Sequence, residues 1–460
     1  MVKAAAAGGM RARVVVLGGG FAGINAALKL GKLPLDVTVV DRKNHHTFQP
    51  LLYQIALAVL SPADIAQPIR SLLRDFKSVE VLMDEAVRFD LEERRVFLKT
   101  GVQLEYDYLI VATGSTHSYF GKDEWAKLAP GLKTVEDALE IRRRVLLAFE
   151  LAERQMMEKG THPALNFVII GGGPTGVELA GAISDIAKLY MRKDFRRIDP
   201  SMAEVVILEG SPHILGSYPP DLQVKACQQL EALGVKLRTN AHVTDVQPGY
   251  VMVGNERIDS VVTLWAAGVQ ASPLGKMLGV ETDKRGCVIV DGHLNPTGHP
   301  EIFICGDLAH FEQDGKQVPG VAQPAMQMGN YAAKRIAGLV DGSLGTGASP
   351  KSKDVIFRYF DKGDMATIGR KAAVAKIEWP FKGHWSGFPA WMTWLTVHIF
   401  FLIGFRNRFS VFRQWAWTYL TYSDGARLIT GSQELPGWDV QDAPEDTLTT
   451  KPLDMILPTK

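Results

Sequence analysis

The sequence predicts an α/β fold in which two parallel-sheet units of one design are followed by an unlike C-terminal module. Three observations predict it. A short apolar strand, a GxGxxG turn and an Ala- and Leu-rich helix begin near residue 13, and the same order recurs near residue 166. Each unit is followed by a second apolar strand that runs into an acid. Seven of the nine tryptophans then lie from Trp379 to Trp438, in a region that also holds the longest stretch without Lys, Arg, Asp or Glu, 383–405.

Composition narrows the class before any motif is used. A length of 460 residues suits two to four domains. Hydrophobic residues at 46% and charged residues at 22% exclude a disordered chain and a polytopic membrane protein. A net charge of +1 gives no bias toward nucleic acid. Cys227, Cys287 and Cys305 are too few and too far apart for a disulfide framework or a zinc CxxC pair. No His, Cys, Asp or Glu set has metal-ligand spacing, so no metal is expected. Residues 1–11 lack the apolar core of an export signal and read as a mobile tail.

In the first unit, Val14–Leu17 is a buried parallel strand by its continuous apolar run. Gly18, Gly20 and Gly23 supply the tight turn, the close approach of backbone to a pyrophosphate, and the close packing of helix on strand. The helix N-terminus adds free N–H groups and a positive dipole. The strand VTVV ends on Asp41, 18 residues beyond Gly23, where a carboxylate can accept hydrogen bonds from a ribose. The second unit repeats this with strand NFVII, then Gly171, Gly173 and Gly176, then VVILE ending on Glu209. Its gap of 33 residues from Gly176 to Glu209 is long, and 184–202 reads as helix extension and loop. Two such units on one chain predict two Rossmann-like dinucleotide-binding domains and two cofactors exchanging electrons.

Two further strands point into the first crevice. DYLIVATGS ends in Thr113 and Gly114, and IFICGDLAHF ends in Gly306 and Asp307. Ligands of doubly wound sheets sit at strand C-terminal ends, so Asp307 faces the same crevice as the first glycine turn, unless it is simply a helix N-cap. TLWAAGVQASP, with Ala267 and Gly268, plays the matching part in the second unit.

With these motifs together the chain resembles the two-dinucleotide-binding flavoproteins, in which an FAD domain is split by an NAD domain. The resemblance implies non-covalent FAD, with Asp41 on the adenosine ribose and Asp307 on the ribityl chain. It also implies NADH as substrate, with Glu209 on its ribose; a carboxylate there repels the extra phosphate of NADPH. Phe21, Ala22, Arg42, Ala86 and Ala322 complete the implied cofactor contacts. The disulfide reductases and sulfide:quinone reductases of this group need cysteines, and DRKNHHTFQPLLYQIA has none. The motifs NHHTFQPLLYQIA, GGGPTGVELAG, WAAGV and VAQPAMQ instead resemble type II NADH dehydrogenase over about residues 12–430. In that family the Gln-containing motif borders the flavin ring and the quinone site, which implicates Gln323 and Gln327, four apart on one helical face. Glu178 reads on its own as an acid in a first helical turn, stabilised by the helix dipole. By resemblance it lies near the redox rings and affects quinone binding or proton supply. Lys371 matches a family lysine near the quinone pocket, with Arg370 as the alternative cation.

The C-terminal module reads as an in-plane membrane anchor. The apolar stretch 383–405 could just span a bilayer core, but two His, two Thr, Ser386 and Pro389 dilute it. A second aromatic helix, 409–422, follows. Six Lys or Arg against two acids from Lys376 to Thr430 would favour anionic headgroups, and Trp and Tyr favour the interface. A buried dimer face is the competing reading, and the resemblance allows a homodimer there.

The expected architecture is an FAD domain in two parts (12–118 and 291–345), a bridging helical segment (119–162), an NAD domain (163–290), a membrane-anchoring module (346–432) and a loosely held tail (433–460). In the bridge, the charges of VEDALEIRRRVLLAFELAERQ mark a solvated helix face. The resemblance implies a non-pumping NADH:quinone oxidoreductase on the cytoplasmic face of the cell inner membrane. It would pass a hydride from NADH to flavin N5 and then two electrons to ubiquinone or menaquinone. A soluble NADH:acceptor reductase and a non-enzymatic FAD/NADH redox scaffold stay open as alternatives.

Overall fold

The computed structural model describes residues 11–344, 355–402, 405–421, 427–432 and 434–438. In chain order its main elements begin with β1 (Arg13–Leu17), α1 (Phe21–Leu30), β2 (Asp36–Asp41), β3 (Val79–Met83), β4 (Tyr108–Val111) and α2 (Val135–Lys159). The inserted unit holds β5 (Asn166–Ile170), α3 (Pro174–Asp185), β6 (Glu204–Leu208), α4 (Pro220–Ala232), β7 (Val235–Arg238) and β8 (Val262–Trp265). The chain then returns to the first unit with β9 (Ile302–Ile304) and α5 (Ala322–Val340). It ends with β10 (Gly363–Thr367), β11 (Ala373–Ile377), β12 (Gly383–Ser386), α6 (Phe388–Phe401) and α7 (Phe405–Thr421).

The first sheet is parallel, in the order β9-β4-β1-β2-β3. β9 comes from beyond the insertion, so the first unit is split in sequence and whole in space. Both faces of its strands are covered, which is why Val14–Leu17 is uninterrupted apolar sequence and wholly buried. α1 and α5 cross tightly on one face: a Cβ at Gly329 would sit 2.1 Å from the Ala22 carbonyl oxygen. The second sheet, β7-β6-β5-β8, is also parallel. The two units are zipped together beyond their strand ends, where Ser115–His117 pairs antiparallel with Val269–Ala271.

The helix α2 corrects one expectation. Its N-terminus is a capping box, with the Asp137 N–H donating to Thr134 Oγ1 and the Asp137 carboxylate accepting from the Thr134 N–H. Its Arg142, Arg143 and Arg144, expected on a solvated face, are all buried. Arg142 donates to the carbonyls of Ile55 and Leu60, and Arg144 to those of Lys127 and Leu128. Arg143 donates to those of Ser432 and Glu434. The guanidinium forks tie main-chain carbonyls at helix ends and in loops of three segments to α2.

That last contact also changes the reading of the C-terminal end. Residues 434–438, expected to be loosely held, are docked: Leu435 is buried, and Gly437 lies so close to Gly249 that a Cβ would come within 2.2 Å of its nitrogen. Residues 1–10 and 439–460, expected to be mobile, lie outside the described residues.

The C-terminal module is a three-stranded antiparallel sheet, β10-β11-β12, with α6 against it and α7 beyond. Trp394, Leu402, Val411 and Trp415 turn inward and join a hydrophobic core shared by segment 48–65, α2 and the second unit. Phe381, Phe400, Phe409 and Phe412 turn outward, between 55% and 75% exposed. Among the described residues no helix is long and apolar enough to cross a membrane.

Candidate active site

The first crevice lies at the C-terminal ends of β1, β2, β4 and β9. Gly18 has φ +101°, and a Cβ there would lie 2.4 Å from the Ala112 carbonyl oxygen; one at Gly23 would lie 1.8 Å from that of Gly18. At Gly20 the nearest atom to a Cβ is 4.0 Å away, so this turn has an open side. Asp41 accepts from the Gly19 N–H at 2.6 Å and the Lys43 N–H at 2.7 Å. Arg42 is exposed beside it, and Ala86 is buried just past Asp84, whose N–H donates to the Asp41 carbonyl. Across the crevice Ser115 donates to Asp307 at 2.6 Å, and Lys133 lies 3.6 Å from the same carboxylate. Asp307 sits within the short turn Gly306–Leu308 and is not an N-cap. Thr113 Oγ1 is buried without a hydrogen-bond partner among the described residues, and Gly114 has positive φ. Phe21 stands edge-on to His46 and Phe48. Ala322 opens α5, whose first turn has no side-chain cap. A flavin dinucleotide fits this set: a bare glycine turn for pyrophosphate, two carboxylates for hydroxyls, an unpartnered buried hydroxyl and free helix-end N–H groups.

The second crevice repeats the device. Gly171 has φ +110°, a Cβ at Gly176 would lie 1.9 Å from the Gly171 oxygen, and nothing lies within 4 Å of one at Gly173. Glu209 accepts from the Gly172 N–H at 2.6 Å and the Ser211 N–H at 2.7 Å. Burial opposes its charge, but the Ser211 side chain and these two amides outweigh it and hold the carboxyl below its usual value. The long gap before Glu209 is filled by a widened helical turn, Ile186–Tyr190, and two further short turns. Ala267 and Gly268 follow β8; the Gly268 carbonyl accepts from Ser118 N–H and the Gly114 carbonyl from Ser272 N–H.

Glu178 lies between this crevice and the C-terminal module. It is in the second turn of α3, not the first, since α3 starts at Pro174 and its first turn holds no acid. The dipole effect fades within one turn, so burial decides. Burial pushes its carboxyl up to about 8, opposed by the Thr367 N–H at 3.5 Å. Farther along the same helix, burial pushes Asp185 up to about 6, opposed by Arg370 and Lys188.

The two glutamines separate in role. Gln327 donates to the Phe360 carbonyl at 3.0 Å and accepts from its N–H at 2.9 Å, so its amide is a staple between α5 and the C-terminal module. Gln323 donates to the Gly363 carbonyl at 2.9 Å, while its Oε1 is buried without a hydrogen-bond partner among the described residues. Lys371 is exposed in the turn between β10 and β11; Arg370 acts on Asp185, first through its main-chain N–H and then, with Lys188, through its charge.

Several residues of the site carry no role in the sequence reading. Tyr53 and Gln54 lie inside NHHTFQPLLYQIA and Thr367 inside MATIGRKAAVA, and their hydroxyls meet at 3.0 Å for Tyr53 and Thr367. Lys133 and Ser115 join Asp307 from 18 residues apart. His398 is stacked on Trp394 at 4.1 Å and bonds its carbonyl at 2.7 Å; burial lowers its imidazole to about 4, so it is neutral. An aromatic contact path runs from Phe21 through Phe48 and His398 to Trp394.

Fold and cradles together define a pyridine nucleotide-dependent flavoprotein oxidoreductase. The family model described as Pyridine nucleotide-disulphide oxidoreductase matches residues 12–329, and that described as NDH2 C-terminal domain matches 362–422. Type II NADH:quinone oxidoreductase NdhA of Mycobacterium tuberculosis is 42% identical over 435 residues, covering 92% of this chain and 90% of the relative. Ndh of the same organism is 41% identical, covering 92% and 91%. The chain belongs to the type II NADH:quinone oxidoreductase family. The solved structure of NDH2 from Plasmodium falciparum in complex with NADH has the same fold, with a TM-score of 0.79 at 20% identity over 92% of this chain and 100% of that one.

Proposed function

We propose that this chain oxidises NADH and reduces a membrane quinone, ubiquinone or menaquinone, without pumping protons. The observation that carries the reading is the pairing of Ser115–His117 with Val269–Ala271, which brings the ends of the two glycine-turn crevices together. FAD, when bound, supplies the two-electron chemistry between reductant and oxidant.

The residues around it bind, orient and exclude water. Gly18, Gly20, Gly23, Asp41, Thr113, Gly114 and Asp307 hold the flavin dinucleotide, with Phe21, Ala22, Arg42, Ala86 and Ala322 around it. Gly171, Gly173, Gly176, Glu209, Ala267 and Gly268 hold NADH. Gln323 presents at the quinone side a carbonyl oxygen without a partner among the described residues, and Gln327 fixes the helix from which it projects. Glu178, neutral near pH 7 through burial, holds a proton at its carboxyl close to the redox site. Lys371 borders the quinone entrance from its exposed turn.

Quinone is lipid-soluble, so its entrance needs a lipid-facing surface. α7 supplies one: Arg408, Phe409, Phe412 and Arg413 are all exposed along it. A helix of this pattern lies in the interface plane, aromatic rings down and guanidinium groups among phosphates. We place it on the cytoplasmic face of the inner membrane; a homodimer that buried the same apolar surface is the competing arrangement.

Steady-state NADH oxidation with a short-chain ubiquinone tests the reading. Turnover that requires bound FAD is expected; no turnover with any quinone would overturn it in favour of the redox scaffold, and NADH oxidation that ignores every quinone in favour of a reductase for another acceptor.

A further inference from the structure

We infer that Tyr53 is a positioning residue for Glu178, fixed by a directional hydrogen-bond chain that starts at Trp415 of α7. The Trp415 indole can only donate, and it gives its N–H to Gln54 Oε1 at 2.7 Å. That settles the orientation of the Gln54 amide, whose nitrogen donates to the Tyr53 hydroxyl oxygen at 2.9 Å. The Thr367 hydroxyl meets the same oxygen at 3.0 Å, and the Thr367 main-chain N–H faces Glu178. All four of these side chains are buried. Buried polar chains persist when every member is satisfied, and this one runs from the helix with the exposed aromatic and basic face to the half-buried acid.

Other groups face Glu178 or lie close behind it. Tyr218, in the loop before α4, feels Asp364 of β10 and Glu178, and its phenol is pushed well up, mainly by burial. Asp185 shares α3 with Glu178, with Arg370 and Lys188 beside it. Tyr53 itself feels Glu178 next after burial. Among the described groups that face Glu178, the Thr367 amide is the one that favours its carboxylate. Tyr53 holds Thr367 through its hydroxyl, so losing the Tyr53 oxygen loosens that amide and favours the protonated acid.

This inference rests on the role of Glu178 proposed above, and the experiment separates the two. The pH profile of quinone-dependent turnover is measured on FAD-loaded protein at saturating NADH with a short-chain ubiquinone. The wild type is expected to show an alkaline limb that Glu178→Gln removes. Tyr53→Phe and Thr367→Val are each expected to move that limb upward by about half a pH unit or more. Thr367→Ser restores it, and Tyr53→Phe adds no shift in the Glu178→Gln background. A limb that Glu178→Gln removes but Thr367→Val and Tyr53→Phe leave in place overturns the inference alone. A profile indifferent to Glu178→Gln overturns the role of Glu178 as well. If Tyr53→Phe fails to retain FAD, the Thr367→Val and Thr367→Ser pair decides.

Discussion

At the scale of single residues, Glu178 and Glu209 show one side chain type taken in opposite directions by its surroundings. Glu209 has amide donors, so its carboxylate is favoured. Its charge disfavours a second phosphate on the ribose, so Glu209→Ala should raise kcat/KM for NADPH relative to NADH by tenfold or more, about 1.4 kcal/mol, measured by steady-state kinetics with both nucleotides. Glu178 has burial and one long amide contact, so its neutral form is favoured. Its folded value, about 8, exceeds the 4.5 of an ordinary glutamate carboxyl. The folded state therefore binds more protons than the unfolded one between those values, and stability falls as pH rises through that window. Glu178→Gln should accordingly gain thermal stability relative to wild type as pH increases from 5 to 9; a Tm difference that stays flat across that range would contradict the burial argument.

At the scale of elements, the glycine turns and the amphipathic helix make separate demands. The Cβ of Gly23→Ala would meet the Gly18 carbonyl at 1.8 Å, backbone that cannot yield without reshaping the turn. The variant should lose about 3 kcal/mol or more and co-purify with less FAD, read by flavin absorbance per chain. On α7, Arg413 is exposed beside Phe409 and Phe412. Arg413→Gln should weaken flotation with anionic vesicles about fivefold, from roughly 1 kcal/mol per cation at the surface. Neutral vesicles should show little difference between the two proteins. The three arginines of α2 teach a different lesson. Charge along a helix in sequence reads as solvated face, yet Arg142, Arg143 and Arg144 are buried because the carbonyls of Ile55, Leu60, Lys127, Leu128, Ser432 and Glu434 converge on them.

At the scale of the whole molecule, oxidation of NADH and reduction of quinone are two half-reactions joined through one site. Rapid mixing with NADH should bleach the flavin band, and quinone should restore it; Glu178→Gln should slow the second phase about tenfold or more while leaving the first within a factor of about three. The order strand, glycine turn, helix, strand, acid determined both dinucleotide units from sequence alone, because each is a local design whose backbone demands are met by residues within about 45 positions. The fold class, the Gly18 and Gly171 turns, and Asp41 and Glu209 are of this kind. The tertiary structure alone decided which distant segments meet. Lys133 and Ser115 reach Asp307, Tyr53 reaches Thr367 across 314 positions, and Trp415 reaches Gln54 across 361. It also decided that Glu178 lies past the dipole of its helix and is governed by burial, and that Gln327 is a staple while the Gln323 Oε1 has no partner among the described residues. Burial and long-range pairing depend on what packs from elsewhere in the chain, and no local pattern carries that information.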